Sequence, residues 1–178
     1  MNTATLAGLV TDVDDFPVPG VVFKDITPLL ASPAGYAAAV EALVTTAPPD
    51  IDVVLGLEAR GFLFAGPVAL ALGAGFVPVR KAGKLPRASI SVDFQLEYAT
   101  ATLAVHADAV RPGVRVLVVD DVLATGGTLA AAASLVRQLD AELVQASVLM
   151  ELTFLGGRAA LREQGIDAIT SIITVDKP

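Results

Sequence analysis

Short apolar runs punctuate the chain and are separated by stretches of helical character. Ile51–Leu57, Phe76–Arg80, Val114–Val119, Leu143–Leu152 and Ala168–Val175 are rich in Val, Ile and Leu. They read as strands buried on both faces. Ser32-Pro33 predicts a helix start, with Ser as the cap and Pro at the first helical position. That helix runs through Ala37–Leu43 and stops before Pro48-Pro49. Phe62–Leu72 and Gly127–Leu139 read as helices, Gly157–Gln164 as a short one, and residues 3–12 as another short one. Phe16–Gly20 holds two prolines and a glycine, which predict a loop. Lys81–Pro86 is a basic loop, and Arg111-Pro112-Gly113 a turn. Ser89–Phe94 and Tyr98–His106 alternate imperfectly and read as an antiparallel pair joined through Gln95-Leu96-Glu97. Strands alternating with helices predict an α/β fold with a mostly parallel central sheet flanked by helices. Ligands of such sheets sit at the carboxyl ends of the strands.

Gly61–Val79 carries no charge and is long enough to span a bilayer. Pro67, Pro78, Gly66, Gly73 and Gly75 interrupt it, so it reads as helix, turn and strand. The first fifteen residues lack a basic start and a long apolar core, so no signal peptide is expected.

Composition narrows the chemistry. The 178 residues fit one domain, 1–178, and 54% hydrophobic against 17% charged residues excludes disorder. Cysteine is absent, which removes disulfides, thiol nucleophiles and Cys-ligated metals, and a cytoplasmic location is expected. The single histidine, His106, cannot build a multi-His metal site and reads as a strand residue without a role. Acids outnumber bases 19 to 12, giving −7, which argues against nucleic-acid or anionic-membrane partners.

The most informative segment is Val116–Thr128, VLVVDDVLATGGT. A buried strand ends in two carboxylates, Asp120 and Asp121. Then Ala124, Thr125, Gly126, Gly127 and Thr128 lead into a helix. A glycine turn at a helix N-terminus presents unpaired N–H groups and a positive dipole end, which suits a phosphate. Paired carboxylates beside it suit the two hydroxyls of a ribose, directly or through a hydrated divalent cation. Neither G-x-x-x-x-G-K-[ST] nor G-x-G-x-x-G occurs, so a triphosphate cradle or a dinucleotide fingerprint does not fit. Glu58-Ala59-Arg60-Gly61 follows another buried strand and opens a helix, forming a second anion-binding turn on the same sheet edge.

VLVVDDVLATGGT resembles the signature of the type I phosphoribosyltransferases, which bind 5-phosphoribosyl 1-pyrophosphate (PRPP). The similarity extends over almost the whole chain. FPVPGVVFKDITPLL (16–30), GLEARGFLF (56–64), VPVRKAGKLP (77–86), Leu96-Glu97-Tyr98 and MELT (150–153) are similar to the adenine-using branch of that family. The resemblance implies a type I phosphoribosyltransferase fold with a small hood and a flexible lid loop. The implied reaction joins adenine to PRPP, giving AMP and pyrophosphate in purine salvage. It also implies Mg²⁺, held mainly through PRPP, diphosphate and water rather than by direct protein ligands, and a homodimer.

Residue by residue, the resemblance assigns the 5′-phosphate to Ala124–Thr128 and the ribose hydroxyls to Asp120 and Asp121. Pyrophosphate falls to Glu58, Ala59, Arg60, Arg80 and Lys84, with Arg80 reaching across a dimer interface and a cis peptide between Glu58 and Ala59. Lys81 is left as a surface residue. Adenine falls to Val22, Phe23, Lys24 and Leu152, with Phe23 stacking on the base. Glu97, followed by Tyr98, is the implied general acid/base. Ala99 stands where the family often has glycine. Two rivals share these motifs. A ligand-sensing regulator of the same fold needs a DNA-binding module or a basic surface, neither of which this chain provides. A transferase for a 6-oxopurine is disfavoured by the 16–30 segment.

Overall fold

A computed structural model describes residues 2–95 and 100–177. The chain opens with α1 (Thr3–Ala7), β1 (Thr11–Val13), β2 (Phe23–Asp25), α2 (Thr27–Ala31) and α3 (Pro33–Thr45). The middle holds β3 (Val53–Leu57), α4 (Gly61–Leu72), β4 (Gly75–Lys81) and the hairpin β5 (Ser89–Gln95) and β6 (Thr100–His106). It ends with β7 (Arg115–Leu123), α5 (Gly127–Gln138), β8 (Glu142–Leu152), a 3₁₀ turn at Thr153–Leu155, α6 (Gly157–Arg162) and β9 (Ile169–Val175).

Among the described residues one sheet has seven strands in the order β5-β6-β4-β3-β7-β8-β9. The five strands from β4 to β9 are parallel, as their apolar composition requires, and β6 adds antiparallel to the edge of β4. α5 packs on one face of this sheet, where Leu129, Ala132 and Leu135 meet Leu55, Val116 and Val118. α3 and α4 cover the other, where Leu43, Phe64 and Val68 meet Val54, Leu117 and Val119. Two cores on two faces explain why the central strands are apolar without alternation. The register of β7 on β8 shifts by one residue between Val116 and Leu117, so that Val144 is bulged out of the ladder.

The order of strands fixes where a ligand can go. From β3 the chain leaves through α4 toward β4, and from the adjacent β7 it leaves through α5 toward β8. Two neighbouring parallel strands whose helices depart in opposite directions open a crevice at their carboxyl ends. The Glu58–Gly61 turn and the Asp120–Thr128 segment border that crevice.

Most of the expected elements are present, and the differences have physical causes. Ser32 caps α3 as its position implies, its Oγ accepting from Gly35 N at 3.1 Å. The uncharged 61–79 stretch is helix, left-handed Gly73 and strand, and no helix among the described residues is long and apolar enough to cross a membrane. Residues 3–12 are not one helix. Only Thr3–Ala7 is helical, capped by the Asn2 side chain, and Thr11–Val13 is a strand drawn into pairing with Phe23–Asp25. β7 does not stop at Val119. It continues to Leu123, because Val122 and Leu123 keep their partners Met150 and Glu151 on β8. The hairpin loop 96–99, with Glu97, Tyr98 and Ala99, lies outside the described residues.

Pro67 sits inside α4 without ending it. A proline cannot donate to the carbonyl four residues back, here that of Leu63. The hydroxyl of Tyr36, on α3, donates to that carbonyl instead. The two helices are thus joined at the point where one of them lacks a bond.

The capping bond at Ser32 yields a test of the fold alone. Ser32→Ala should lower unfolding free energy by about 1 kcal/mol in a denaturant titration and leave catalytic constants at wild-type values, since α3 lies away from the crevice.

Candidate active site

Two adjoining cavities occupy the crevice. The larger, 390 Å³, is lined by Glu58–Arg60 on one side and by Asp120–Leu129 on the other. The smaller, 120 Å³, is lined by Val21–Lys24, Ile26, Arg60, Asp121, Val122 and Met150. Arg60, Asp121 and Val122 belong to both, so the cavities meet at these three residues.

The floor of the larger cavity is the turn after β7. Gly126 adopts φ +91°, and a Cβ there would come within 2.9 Å of the Gly157 carbonyl. The turn is therefore closed to any residue with a side chain. Gly126 O accepts from Ala130 N at 2.9 Å, starting α5. The N–H groups of the first turn of a helix have no partner within it, so they point into this cavity's floor with the positive end of the dipole.

On the opposite wall, Glu58–Ala59 is a cis peptide. Gly61 begins α4 against β7, where a Cβ would stand 2.7 Å from Asp120 Oδ1 and 3.0 Å from Val119 O. The absence of a side chain at Gly61 lets the two turns face each other across a narrow gap.

Asp120 and Asp121 are both buried, inside the strand rather than beyond its end. Burial and then the neighbouring Asp121 charge push the Asp120 carboxyl well above the ordinary carboxylate range. Burial raises Asp121 as well, but Arg60 opposes it, with Nε 2.8 Å from Asp121 Oδ2. Asp121 N donates to Asp120 Oδ1 at 2.9 Å, which fixes the first carboxyl against the backbone of the next residue. The guanidinium of Arg60 also lies 4.9 Å from the centre of the Phe23 ring, a cation–π distance. Phe16 packs edge-on against the same ring at 5.1 Å.

Glu58 gathers the other cations. Its carboxylate accepts from Lys84 Nζ at 2.6 Å, from Lys81 N at 2.9 Å and from Arg80 Nη2 at 3.3 Å. These bonds outweigh its burial and hold its pKa down at about 2.

The geometry can now be set beside known proteins. Residues 25–176 match the family model described as a phosphoribosyl transferase domain. An adenine phosphoribosyltransferase of Cutibacterium acnes is 65% identical, with 96% of each chain covered. One from Nocardioides is 56% identical over 94% of this chain and 91% of its own. The chain belongs to the adenine phosphoribosyltransferase family. Among solved members, the enzyme of Thermoanaerobacter pseudethanolicus superposes with a TM-score of 0.93 at 44% identity, covering 98% of this chain and 100% of that one. The Saccharomyces cerevisiae adenine phosphoribosyltransferase, solved with an imino-altritol bisphosphate and adenine, superposes at 0.89 with 37% identity, covering 96% and 98%.

Within this family frame, the fold brings together nearly all the residues singled out from the sequence. Asp120, Asp121, Ala124–Thr128, Glu58, Ala59 and Arg60 line one cavity, and Val22, Phe23 and Lys24 line its neighbour. Arg80 and Lys84 stand behind Glu58 and line neither cavity. The Lys24 ammonium is turned away, paired with Asp12 Oδ1 at 2.9 Å. Leu152 lies outside the lining of the smaller cavity. Met150, two residues earlier and on the same face of β8, lines it instead, together with Val122. Strand periodicity makes Met150 a natural substitute, but only the pairing of β8 with β7 reveals which residue reaches the crevice. Glu97 lies outside the described residues. A hollow of 490 Å³ beside α1 and β1 shares Lys24 and Met150 with the smaller cavity and contains none of the other residues singled out from the sequence.

The ion pairs of Glu58 set the acid response of this wall. With a folded pKa of about 2 against 4.5 unfolded, the carboxylate's stabilising contribution is complete above the unfolded value and lost as pH falls toward the folded one. Melting temperatures of Glu58→Gln and the unsubstituted protein should therefore differ most near neutral pH and converge on acidification. A difference that persists unchanged at the acid end would contradict this assignment.

Proposed function

We propose that this family member carries out adenine phosphoribosyl transfer in the two adjoining cavities, with the sugar phosphate in the larger and the base in the smaller. The observation that supports this division is their shared wall. A reaction between a base nitrogen and a sugar carbon needs two ligands bound side by side and touching at one point. Arg60, Asp121 and Val122 mark that point.

In this reading the 5′-phosphate of PRPP takes the N–H groups of residues 124–128, with hydrogen bonds from the Thr125 and Thr128 hydroxyls. Asp120 and Asp121 accept from the ribose 2′- and 3′-hydroxyls. Arg60, a bidentate donor, and the Glu58-Ala59 backbone hold the pyrophosphate. Arg80 and Lys84, already gathered by Glu58, add positive charge, and Arg80 Nε is buried without a partner among the described residues. Adenine lies against Phe23, with main-chain groups of Val22 and Lys24 at its edge and Met150 and Val122 lining the rest of its cavity. N9 attacks C1′ as the bond from C1′ to the pyrophosphate oxygen lengthens, and the N9 proton is lost. Glu97 is the proposed carrier of a proton at N7, which eases that loss.

The donor set also suits Mg²⁺. Among the described residues no cluster of three or more metal-ligating side chains occurs, whereas two adjacent carboxylates border the sugar-phosphate cavity. Mg²⁺ keeps several waters and binds through substrate phosphates, so in this reading PRPP, diphosphate and water hold it, and the two carboxylates reach it through water. When bound it neutralises charge on the departing pyrophosphate. We place the enzyme in the cytoplasm as a homodimer. Leu63 and Leu70, seven residues apart on one side of α4, are exposed apolar side chains, which supports self-association. Sedimentation of the purified chain distinguishes monomer from dimer.

The reaction is tested by incubating the protein with labelled PRPP and each free base in turn. Adenine should be used, and hypoxanthine should be poorer by ~10⁴-fold in kcat/KM, because a site built for a 6-amino donor leaves groups unpaired against a 6-oxo acceptor. Comparable values for the two bases would contradict the reading.

Asp120 predicts a conflict between stability and binding. Its folded carboxyl holds a proton more tightly than the unfolded one, so wild-type stability falls as pH rises from the ordinary 3.8 through the raised folded value. Asp120→Asn lacks that loss. Its melting temperature should equal or exceed that of wild type at neutral pH, while its KM for PRPP rises.

A further inference from the structure

The turn beneath the larger cavity is itself supported from behind, by a network that no step of the proposed reaction uses. Gly157, the first residue of α6, presses its backbone against the turn. A Cβ there would stand 2.1 Å from Ala124 O and 2.9 Å from Gly126 N. On the other side of the contact, Gly126 has the Gly157 carbonyl and Leu161 Cγ as its nearest neighbours. The shape of residues 124–126 therefore depends on where α6 stands.

α6 is short, and one residue anchors it to the sheet. Arg158, next after Gly157, donates from Nε to both oxygens of Glu151 at 2.9 and 3.1 Å and from Nη2 to Glu151 Oε2 at 2.5 Å. It also donates from Nη1 to Ile169 O at 2.8 Å and from Nη2 to Ser171 Oγ at 3.1 Å. Ser171 Oγ in turn donates to Glu151 Oε2 at 2.8 Å. Glu151 is buried on β8, and its register partner on β7 is Leu123, the residue before the turn begins. The network thus starts beside one end of the turn, passes through two strands, and returns through α6 to the turn's underside. Arg158 holds the Glu151 carboxyl below its ordinary range, as expected for an ion pair kept in one geometry.

We infer that Glu151, Arg158 and Ser171 are positioning residues for phosphate binding: they fix α6, and through Gly157 they hold the 124–126 backbone in the shape that receives the 5′-phosphate of the donor. The inference rests on the assignment of that phosphate to this turn. None of the three lines either crevice cavity. Their effect is expected at the phosphate end of the donor, the part received by the turn that Gly157 supports.

Arg158→Lys keeps the positive charge but loses the planar fork that reaches two strands at once. Titration calorimetry with ribose 5-phosphate, a probe that carries the phosphate but neither base nor pyrophosphate, reads the turn directly. Its Kd and the KM for PRPP should rise together by about ten-fold, since small misplacements of binding groups produce changes of this order or larger. The KM for adenine and kcat should stay within about two-fold. Ser171→Ala, which removes one hydroxyl, should move the same two constants in the same direction by less. If Arg158→Lys does not fold, Ser171→Ala carries the test. A Kd for ribose 5-phosphate equal to wild type in the folded variants, even with a lowered melting temperature, overturns the inference and leaves the network a purely structural brace. Wild-type protein that binds ribose 5-phosphate but does not use adenine would overturn the proposed reaction while leaving this inference in place. Wild-type protein that does not bind the probe overturns both.

Discussion

The arrangement of the molecule depends on one close approach, that of the start of α4 to β7. β3 and β7 are neighbours, so the segments leaving their ends are forced side by side. Whether they form a usable crevice depends on how near the helix begins to the strand. Gly61 permits contact with the Asp120 backbone and carboxyl, and any side chain there would push the two turns apart. The two cavities, the Arg60–Asp121 pair and the facing of the two anion-binding turns all follow from that separation.

A chain with a net charge of −7 nevertheless has a site suited to a polyanion. The crevice itself is lined by Arg60, three carboxylates and the backbone N–H groups of the 124–128 turn, with Arg80 and Lys84 behind Glu58. Each cation near it is held by a carboxylate: Arg60 by Asp121, and Lys84 and Arg80 by Glu58. Such pairing keeps long side chains in place without a ligand, so less conformational freedom remains to be lost when one arrives. It also prevents a cluster of like charges from destabilising the fold. Overall charge is uninformative about this site, because a few ordered groups outweigh the average at short range.

The sequence was most legible where one residue type answers one backbone requirement. The apolar runs marked the parallel strands, Ser32-Pro33 marked a helix start, and the Asp-Asp and Thr-Gly-Gly-Thr pattern marked the crevice. It was less legible where pairing decides. Nothing local shows that β7 continues through two aspartates, because its extension depends on β8 alongside. The split of residues 3–12 into helix and strand likewise depends on Phe23–Asp25, a partner distant in sequence. Lining by Met150 and Val122, and the brace through Glu151 and Arg158, need the strand register and the placement of α6. Resemblance points to Leu152, and a strand's two-residue repeat puts Met150 on the same face of β8.

The bond from Tyr36 to the Leu63 carbonyl links two positions that have no common motif. Pro67 creates the vacancy and Tyr36 fills it, so the two residues serve one main-chain group. In relatives that replace Pro67 with a residue bearing an N–H, the carbonyl regains its own helical donor and the phenol loses its purpose. Aromatic hydroxyl at position 36 and proline at position 67 should accordingly be gained and lost together across the family, a covariation that arises from main-chain chemistry rather than from contact between the two side chains.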